Sequence, residues 1–378
     1  MSGALPLANP VRWLQRTAWP VLPVAALIVA FGTAVQSSVA GPGGNVDGHL
    51  LRVAVGALAA LVAVGFGIGR WRANAYLFYA VCVILLVGVL AAGRATNYAQ
   101  RWIDLPMGFK LQPSEFLKIA VIVVLARWFS DRPVPERLAD LLVPVALVVL
   151  PAVLVLGQPD LGTALSLGPL LYGFIYLSGA RWGALRWLLV FPLLLAPLAA
   201  FGLHGYQFER VRTWWHQSDL TPEERIDTGY HLWHSKLAVG SGGLTGHGWG
   251  QGPENRLDRL PERHNDFIFP VMAEELGFLG AGAFLLGYAT LPLLALLWSQ
   301  RYRDPFARLV IGGVGLYYGT HLVINVGVAL GIWPTTGLPL PLVSFGGSSM
   351  ICGGLALGLA IGSGTMREGI FLSRTRRL

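Results

Sequence analysis

This sequence has unusually few charged residues. Among its 378 residues only 13% are charged, whereas 54% are hydrophobic. A soluble domain carries about 25% charged residues, so this chain has too little polar surface for a soluble fold of its length. The apolar residues stand in long runs separated by short arginine-bearing stretches, which is the pattern of several membrane spans of about 20 residues each.

Cysteine is also scarce, since Cys82 and Cys352 are the only two and each lies inside an apolar run. This excludes a disulfide framework and a thiolate metal site. We can place no phosphate-binding loop, zinc-ligand spacing or Ser/His/Asp triad in the sequence. The formal charge is +8. Because the arginines lie mostly between spans, we interpret this excess as membrane topology and expect no nucleic-acid partner.

The sequence predicts an all-α polytopic membrane protein, because backbone N–H and C=O groups in lipid must be paired within their own span. About ten transmembrane helices are predicted: 19–40, 50–69, 74–92, 113–130, 138–156, 161–179, 184–203, 266–298, 306–331 and 343–363. We interpret the first as a retained span, since a signal peptide has a shorter apolar core. The chain, 1–378, forms one membrane domain, with a large extracytoplasmic loop, 204–265, between helices 7 and 8.

Basic residues predict the orientation. Sixteen of the 28 lysines and arginines fall in one set of segments between spans, whereas the short loops of the other side hold only Arg52, Arg94, Arg101 and Lys110. Cytoplasmic loops carry the excess of basic residues. Both termini are therefore predicted to be cytoplasmic, with loop 204–265 outside.

Loop 204–265 is expected to contain short helices and to lie partly on the membrane surface. Thr221, Pro222 and Glu224 form a helix start, with threonine as N-cap, proline at the first position and glutamate at the third. The helix should run toward the glycines at 240–243, beyond which residues 246–252 form a flexible glycine-rich strip.

Several ionisable residues inside or beside spans need a partner or a function, since each costs about 2.5–3.5 kcal/mol on insertion. Glu115 and Lys118 are three residues apart on one helix face; they form either an internal ion pair or part of a polar cavity near the outer face. Asp266 stands where the outer loop meets a span, as a helix cap or as a general base. Glu274 and Glu275 are interpreted as a structural pair.

A broken segment precedes the last span. Prolines, glycines and serines at 339–349 interrupt the helix, and irregular backbone at membrane depth survives only against protein or a water-filled cavity. We expect cavity lining there, with a packed re-entrant turn as the alternative. Asp160 is expected to cap the helix that follows it.

Together these segments resemble the shape, elongation, division and sporulation (SEDS) family, and the match covers most of the chain. The matching segments are Gln112–Glu115, Gly157–Thr163, Gly240–Leu244, Leu260–Phe269, Ala273–Gly277 and Phe345–Ser349. Within the family, Gly337–Ser344 favours the cell-elongation branch over the division branch. The resemblance implies a peptidoglycan glycosyltransferase that polymerises lipid II, and so maintains rod shape, with its active site at the periplasmic face of the bacterial inner membrane.

The resemblance also implies a complex with a class B penicillin-binding protein, a transpeptidase, within the elongation machinery of the rod complex. It allows a divalent cation, Mg²⁺ or Mn²⁺, and no organic cofactor; the sequence has no dedicated set of metal ligands.

The resemblance assigns roles residue by residue. Asp266 matches the family's essential aspartate and is the expected general base, whereas Glu115 and Lys118 match its polar pair. The expected substrate-binding or supporting residues are Trp102, Lys110, Arg210, Arg263, His264, Asp160, Ser344 and Ser348. Among these, Lys110, Arg210 and Arg263 are candidates, with Lys118, to offset the charge of the pyrophosphate. One departure, His247 where the family has lysine, puts a contact from that position in doubt.

Two other functions fit parts of the sequence. Many spans, broken helices and buried charges also occur in transporters, so a lipid II flippase is the alternative. The outward clustering of the polar motifs favours the enzyme. A scaffold that only recruits the penicillin-binding protein would leave Glu115, Lys118 and Asp266 unexplained.

Overall fold

The computed structural model describes residues 20–41, 46–92, 101–104, 110–181, 183 and 205–364. The described chain is mostly helical. Its helices are α1 (Val21–Ala40), α2 (Asp47–Phe66), α3 (Ile68–Ala73), α4 (Ala75–Ala92), α5 (Pro113–Ser130), α6 (Leu142–Gly157), α7 (Leu161–Leu177), α8 (Gly205–Trp215), α9 (Pro222–Ile226), α10 (Tyr230–Ser241), α11 (Pro253–Arg256), α12 (Ile268–Ser299), α13 (Pro305–Ala329) and α14 (Gly347–Ser363). A short 3₁₀ turn, Leu138–Leu141, precedes α6, and strands β1 (Ile103–Asp104) and β2 (Lys110–Leu111) pair antiparallel before α5.

Most of the predicted spans coincide with helices. The fourth, 113–130, matches α5 at both ends, whereas the last helix begins at Gly347 rather than at 343. The predicted seventh span, 184–203, lies outside the described residues. Five described stretches are long and apolar enough to cross a membrane, and three shorter apolar helices accompany them. A helical membrane bundle is thus confirmed, while the count of ten remains a prediction.

Helix α5 forms the centre of the bundle. Its residues from Leu117 to Ala126 are all buried, and it packs against α4, α13 and α14. A helix that is apolar on every side belongs in such an interior position. Its polar residues Glu115 and Lys118 are therefore held at the core of the protein, near the helix start.

Small residues bring α2 and α14 into close contact. A side chain at Gly56 would collide with the Met350 carbonyl, and one at Gly354 would collide with the carbonyl of Gly56. Such small-residue interfaces let membrane helices approach closely. This packing fixes the first turns of α14 against the middle of α2.

The outer loop differs from its prediction in one respect. The capping box at Thr221 is present, with the Glu224 amide donating to Thr221 Oγ1 at 3.2 Å. However, the expected single helix is two, because α9 ends at Ile226 and α10 begins only at Tyr230. The turn between them buries Gly229 against Leu220 and the Glu224 carbonyl.

Residues 242–252, the glycine strip, dock onto a break in α12. Gly277 adopts φ 65° within that helix, which interrupts its hydrogen-bond ladder. The strip supplies substitutes: the Phe278 amide donates to the Gly243 carbonyl at 2.8 Å, and the His247 amide donates to the Glu274 carbonyl at 3.0 Å. These hydrogen bonds attach the strip to the bundle, including its part 246–252, which the sequence predicted to be flexible, although most of its residues are exposed.

One end of the bundle is tied by arginines. Arg72 lies 2.6 Å from Asp131 and 3.7 Å from Asp304, and Arg127 lies 2.6 Å from Asp131. These contacts join the ends of α3 and α5 to the start of α13. Arginine-bearing segments that the sequence assigned to one side of the membrane therefore lie together.

Candidate active site

Four segments meet at the opposite end of the bundle from these arginines. They are the start of α5, the start of α7, residues 262–266 (the aspartate loop) and residues 331–346 (the proline loop). The C-terminal part of α13 lies between the two loops, since its residue Asn325 donates hydrogen bonds to main-chain carbonyls of both. Sequence-distant polar groups are thereby gathered around the aspartate loop.

Glu115 and Lys118 form the predicted pair. The Lys118 ammonium donates to Glu115 Oε1 at 2.6 Å, and both side chains are almost completely removed from solvent, at 0% and 2% exposed. The second carboxylate oxygen of Glu115 has no hydrogen-bond partner in the described part of the chain. The ion pair that the sequence predicted is therefore present, and one oxygen of Glu115 remains available to another group.

His321 is a member of this cluster that the sequence did not indicate. Its Nε2 lies 3.0 Å from the Lys118 ammonium, and its Nδ1 lies 2.9 Å from the Pro339 carbonyl. The ammonium can only donate and the carbonyl can only accept. The ring is therefore neutral, with its proton on Nδ1, and it connects the buried pair to the proline loop.

Asn325, one helical turn beyond His321, was missed as well. Its side-chain amide donates to the main-chain carbonyls of Asp266 and Leu338, each at 2.9 Å. A single side chain on α13 thus joins the aspartate loop to the proline loop. A polar residue within an apolar run was the only sequence signal for it.

Asp266 does not cap α12. The N-cap of that helix is Phe267, and no side chain caps it. The Asp266 carboxylate instead lies against Gly337, where a side chain would approach Asp266 Oδ2 to 3.0 Å. The prediction that Asp266 caps the helix is therefore wrong. Its carboxylate accepts no hydrogen bond from the described residues.

The surroundings of Asp266 favour its protonated form. Loss of water around the carboxylate is the largest cause, and it raises the pKa of Asp266 to about 7. The negative charges of Glu262, Asp160 and Glu115 act in the same direction. Arg210 acts in the opposite direction. A carboxylate with a pKa near the operating pH can both accept and return a proton.

Asp160 caps α7, as predicted. Its Oδ1 accepts from the Thr163 amide at 3.2 Å, while its Oδ2 accepts from the Gln112 side chain at 3.0 Å. Ser114 lies 3.4 Å from the same oxygen. The cap therefore also anchors the start of α5, which carries Glu115.

Ser344 and Ser348, the two serines predicted at the site, form hydrogen bonds with main-chain groups. Ser344 donates to the Asn265 carbonyl at 2.6 Å and accepts from the Leu340 amide, which joins the two loops. Ser348 donates to the Lys110 carbonyl at 3.1 Å and accepts from the Gln112 amide. These contacts support the packed-turn interpretation of this segment, with its residues forming one wall of the site.

The basic candidates fall in different places. Arg210, on α8, donates to the Thr335 carbonyl of the proline loop at 3.1 Å. Lys110 is exposed in β2, and Trp102 is partly exposed just before β1. Arg263, in contrast, donates to the Asn255 carbonyl and lies 3.2 Å from Asp258. It lines a cavity together with the C-terminal end of α1.

His264 holds the aspartate loop through its main chain. Its carbonyl accepts from the Gln36 side chain of α1 at 2.8 Å and from the Phe345 amide at 2.9 Å. Its ring stands edge-on to Phe345, whose face is covered by the Arg52 guanidinium at 3.7 Å. Arg52 is thereby a further cation beside the start of α14.

Glu274 and Glu275 support the structure without a basic partner. Glu274 accepts from the amides of Glu254 and Asn255 at 2.8 and 3.2 Å. Glu275 accepts from Ser38 at 2.6 Å and from the Asn255 side chain at 2.8 Å. Amides and a hydroxyl thus satisfy both carboxylates, which agrees with their interpretation as structural residues.

The described residues contain no group of three or more His, Cys, Asp or Glu side chains that could hold a metal ion. Mg²⁺ commonly uses only one or two carboxylates, with water and substrate phosphates as its other ligands. The open oxygen of Glu115 and the Asp266 carboxylate are chemically suited to that arrangement.

Comparison with known proteins extends over nearly the whole chain. Residues 19–362 match the family model FTSW_RODA_SPOVE, described as "Cell cycle protein". The peptidoglycan glycosyltransferase MrdB of Escherichia coli (strain K12) is 35% identical over 350 residues, which are 92% of this chain and 93% of that protein.

Two solved structures are similar to this chain over most of its length. A chain of a peptidoglycan synthase complex, described as coordinating polymerization and crosslinking, superimposes with a TM-score of 0.76 at 30% identity, covering 93% of this chain and 98% of that one. The rod shape determining protein RodA of Thermus thermophilus superimposes with a TM-score of 0.69 at 29% identity, covering 92% and 96%.

Proposed function

The chain belongs to the FtsW/RodA/SpoVE family of cell cycle proteins, and we propose that it polymerises lipid II into glycan strands during cell elongation. It is an integral membrane protein and a peptidoglycan glycosyltransferase. The observation that carries the proposed mechanism is the Asp266 carboxylate, which lies against the proline loop at Gly337, accepts no hydrogen bond from the described residues and is acted on by the charges of other carboxylates.

Asp266 is the general base of the proposed reaction. The C4 hydroxyl oxygen of one lipid II attacks the anomeric carbon of the growing lipid-linked chain and gives its proton to the carboxylate. The bond from that carbon to the pyrophosphate breaks, and undecaprenyl pyrophosphate leaves. A positioned base contributes about 10²–10⁴-fold to such a step. Asn325 holds the main chain of Asp266 and thereby orients the base.

The leaving pyrophosphate needs positive charge near its oxygens. Lys118, Arg210 and Lys110 are the candidates that lie on the elements around the aspartate loop. Arg52 adds a fourth cation at the start of α14. A divalent cation, Mg²⁺ or Mn²⁺, held by Asp266, Glu115 and the substrate's phosphate oxygens, would supply further charge neutralisation.

The site faces the periplasm in this proposal, and both termini are cytoplasmic. The arginine-tied end formed by Arg72 and Arg127 supports this orientation, since basic segments mark the cytoplasmic side. The aspartate loop lies at the other end of the same helices. A class B penicillin-binding protein is the proposed partner, because the related synthase complex couples polymerization to crosslinking.

A flippase is less well supported. Transport across the bilayer needs polar groups along the whole path, but α5 is uniformly apolar from Ile119 to Ala126. The polar groups of the site stay at one end. The contact pattern therefore favours chemistry at one membrane face.

The proposal is tested with purified protein and its transpeptidase partner, supplied with lipid II. Wild type should yield glycan strands that are resolved by gel electrophoresis, and Asp266→Asn should yield none. Asp219→Asn, an exposed aspartate of the outer loop, is the matched control and should retain activity. Undiminished strands from Asp266→Asn would remove Asp266 from the mechanism, and transport of lipid II across liposomes without polymerization would favour the flippase.

A further inference from the structure

A polar cavity lies beside the aspartate loop, at Arg263. It has a volume of about 490 Å³ and opens between the outer end of α1, the glycine strip and α11. Its lining includes Ser38, Trp249, Gln251, Asn255, Arg256 and Arg263. This volume is within the range of small-ligand sites, about 300–1,000 Å³. The mechanism above uses none of these six residues.

We propose that this cavity is a saccharide subsite, which holds an amino-sugar unit of the growing glycan strand. The inference rests on the proposed function. Its physical basis is the combination in one cavity of an aromatic face, a buried acceptor without a donor, and a short connection to the reacting loop.

Trp249 supplies the aromatic face. Its side chain remains 44% exposed although it lines the cavity. The apolar faces of sugar rings, which carry C–H groups, pack on such a ring, while their hydroxyls need donors and acceptors around it. Tryptophan is suited to a surface of this kind because it is apolar with a polar edge.

Asn255 supplies the acceptor. It is only 4% exposed, and its backbone amide and side-chain amide are used by Glu274 and Glu275. Its Oδ1 has no partner among the described residues. A buried acceptor left without a donor costs about 1–3 kcal/mol, so a ligand hydroxyl or N-acetyl amide that reaches it would be favoured.

The two arginines of the cavity differ in how far the chain itself engages them. The Arg263 guanidinium already pairs with Asp258 and with the Asn255 carbonyl. Arg256 donates to the Gln251 side chain at 2.9 Å. The charge of Arg263 is therefore paired within the chain, whereas Arg256 is exposed, hydrogen-bonds a neutral amide oxygen and keeps its charge.

The cavity is adjacent to the aspartate loop, because Arg263 belongs to that loop and lines the cavity. Arg263 lies three residues before Asp266, so the two Cα atoms are at most about 10 Å apart along the chain. The Gln36 side chain ties the same loop to α1 at the His264 carbonyl. A sugar unit held on the α1 side of this loop would keep the strand attached between successive additions.

Direct binding tests the subsite without catalysis. A lipid-free tetrasaccharide of alternating N-acetylglucosamine and N-acetylmuramic acid is titrated calorimetrically into the protein in complex with its partner, with and without stem peptides. Trp249→Ala should weaken binding by about tenfold, as when an aromatic anchor is removed, and Trp249→Phe should restore most of it. The control is Trp215→Ala, which removes an exposed tryptophan outside the cavity.

Strand length provides the second measurement. Trp249→Ala should shorten the strands, while the rate of joining the first two lipid II molecules stays near that of wild type. Unchanged tetrasaccharide binding together with unchanged strand length in Trp249→Ala would overturn the subsite. Binding that requires the stem peptides would also overturn it. So would a first joining step that slows in Trp249→Ala as much as the strand length falls. Wild type that makes no strands would instead refute the proposed function.

Discussion

The buried pair of Glu115 and Lys118 offers the sharpest test of what the polar core does. The two charged groups are 2.6 Å apart with almost no solvent exposure. At an effective dielectric of about 20 their attraction is about 6 kcal/mol, but each ion also gives up several kcal/mol of hydration on burial. Removing one partner leaves the other uncompensated, which destabilises by about 3–5 kcal/mol.

The single variants should therefore differ from the double variant. Glu115→Gln keeps an acceptor for the ammonium but loses the charge, whereas Lys118→Met leaves the carboxylate and His321 Nε2 without their donor. Both should unfold at lower temperature than wild type. The double variant, which buries no charge at this position, should be more stable than the sum of the single effects allows.

The assay is a double-mutant cycle on the detergent-solubilised protein, with unfolding followed by intrinsic fluorescence. We expect a coupling energy of about 3 kcal/mol, at the upper end of the values found for contacting residues. Additive effects, within about 0.5 kcal/mol, would refute the buried-pair argument. Strand synthesis by the double variant then decides the role of the pair: a stable but inactive protein supports a function for Glu115, whereas full activity makes the pair structural.

Three further predictions concern the loops around the site. Because the raised pKa of Asp266 means that the base is protonated below about pH 7, kcat/KM for strand synthesis should fall as pH decreases through 7; a flat profile between pH 5.5 and 8.5 would contradict this. In thermal unfolding, Gly277→Ala should destabilise the protein by about 1–3 kcal/mol or more, since Gly277 has φ 65°. The control Gly282→Ala has open space around the added methyl group and should be neutral or stabilising by about 0.5–1 kcal/mol. Gln36→Leu removes two hydrogen bonds at the aspartate and proline loops and should lower kcat more than it raises KM, unlike Thr33→Val one turn earlier on α1.

Local rules predicted the helices and their starts well. Proline at the first position marked α5 at Pro113, and the box at Thr221 marked α9. Asp160 caps α7 as expected. Each of these features depends on groups within four residues of one another, so the sequence alone contains the physics that determines them.

Long-range contacts were beyond such rules. His321 meets Lys118 across a separation of 203 residues, and Asn325 meets Asp266 across 59. Neither residue stands in a motif that names its partner. The docking of the glycine strip was missed for the same reason, because Gly277 breaks α12 only in combination with the carbonyls that the strip provides.

The carboxylates of this chain show why burial alone is a weak sign of function. Glu274 and Asp160 are buried, yet both oxygens of each accept from amides or hydroxyls, so their charge is satisfied by the fold. Glu115 keeps one oxygen without a partner among the described residues, and Asp266 accepts no hydrogen bond there. An unsatisfied carboxylate is costly and persists only if another group completes it. The charge of Glu115 is among those that raise the pKa of Asp266. We therefore propose that the chemistry takes place near these two carboxylates and not at Glu274 and Glu275, which are fully satisfied.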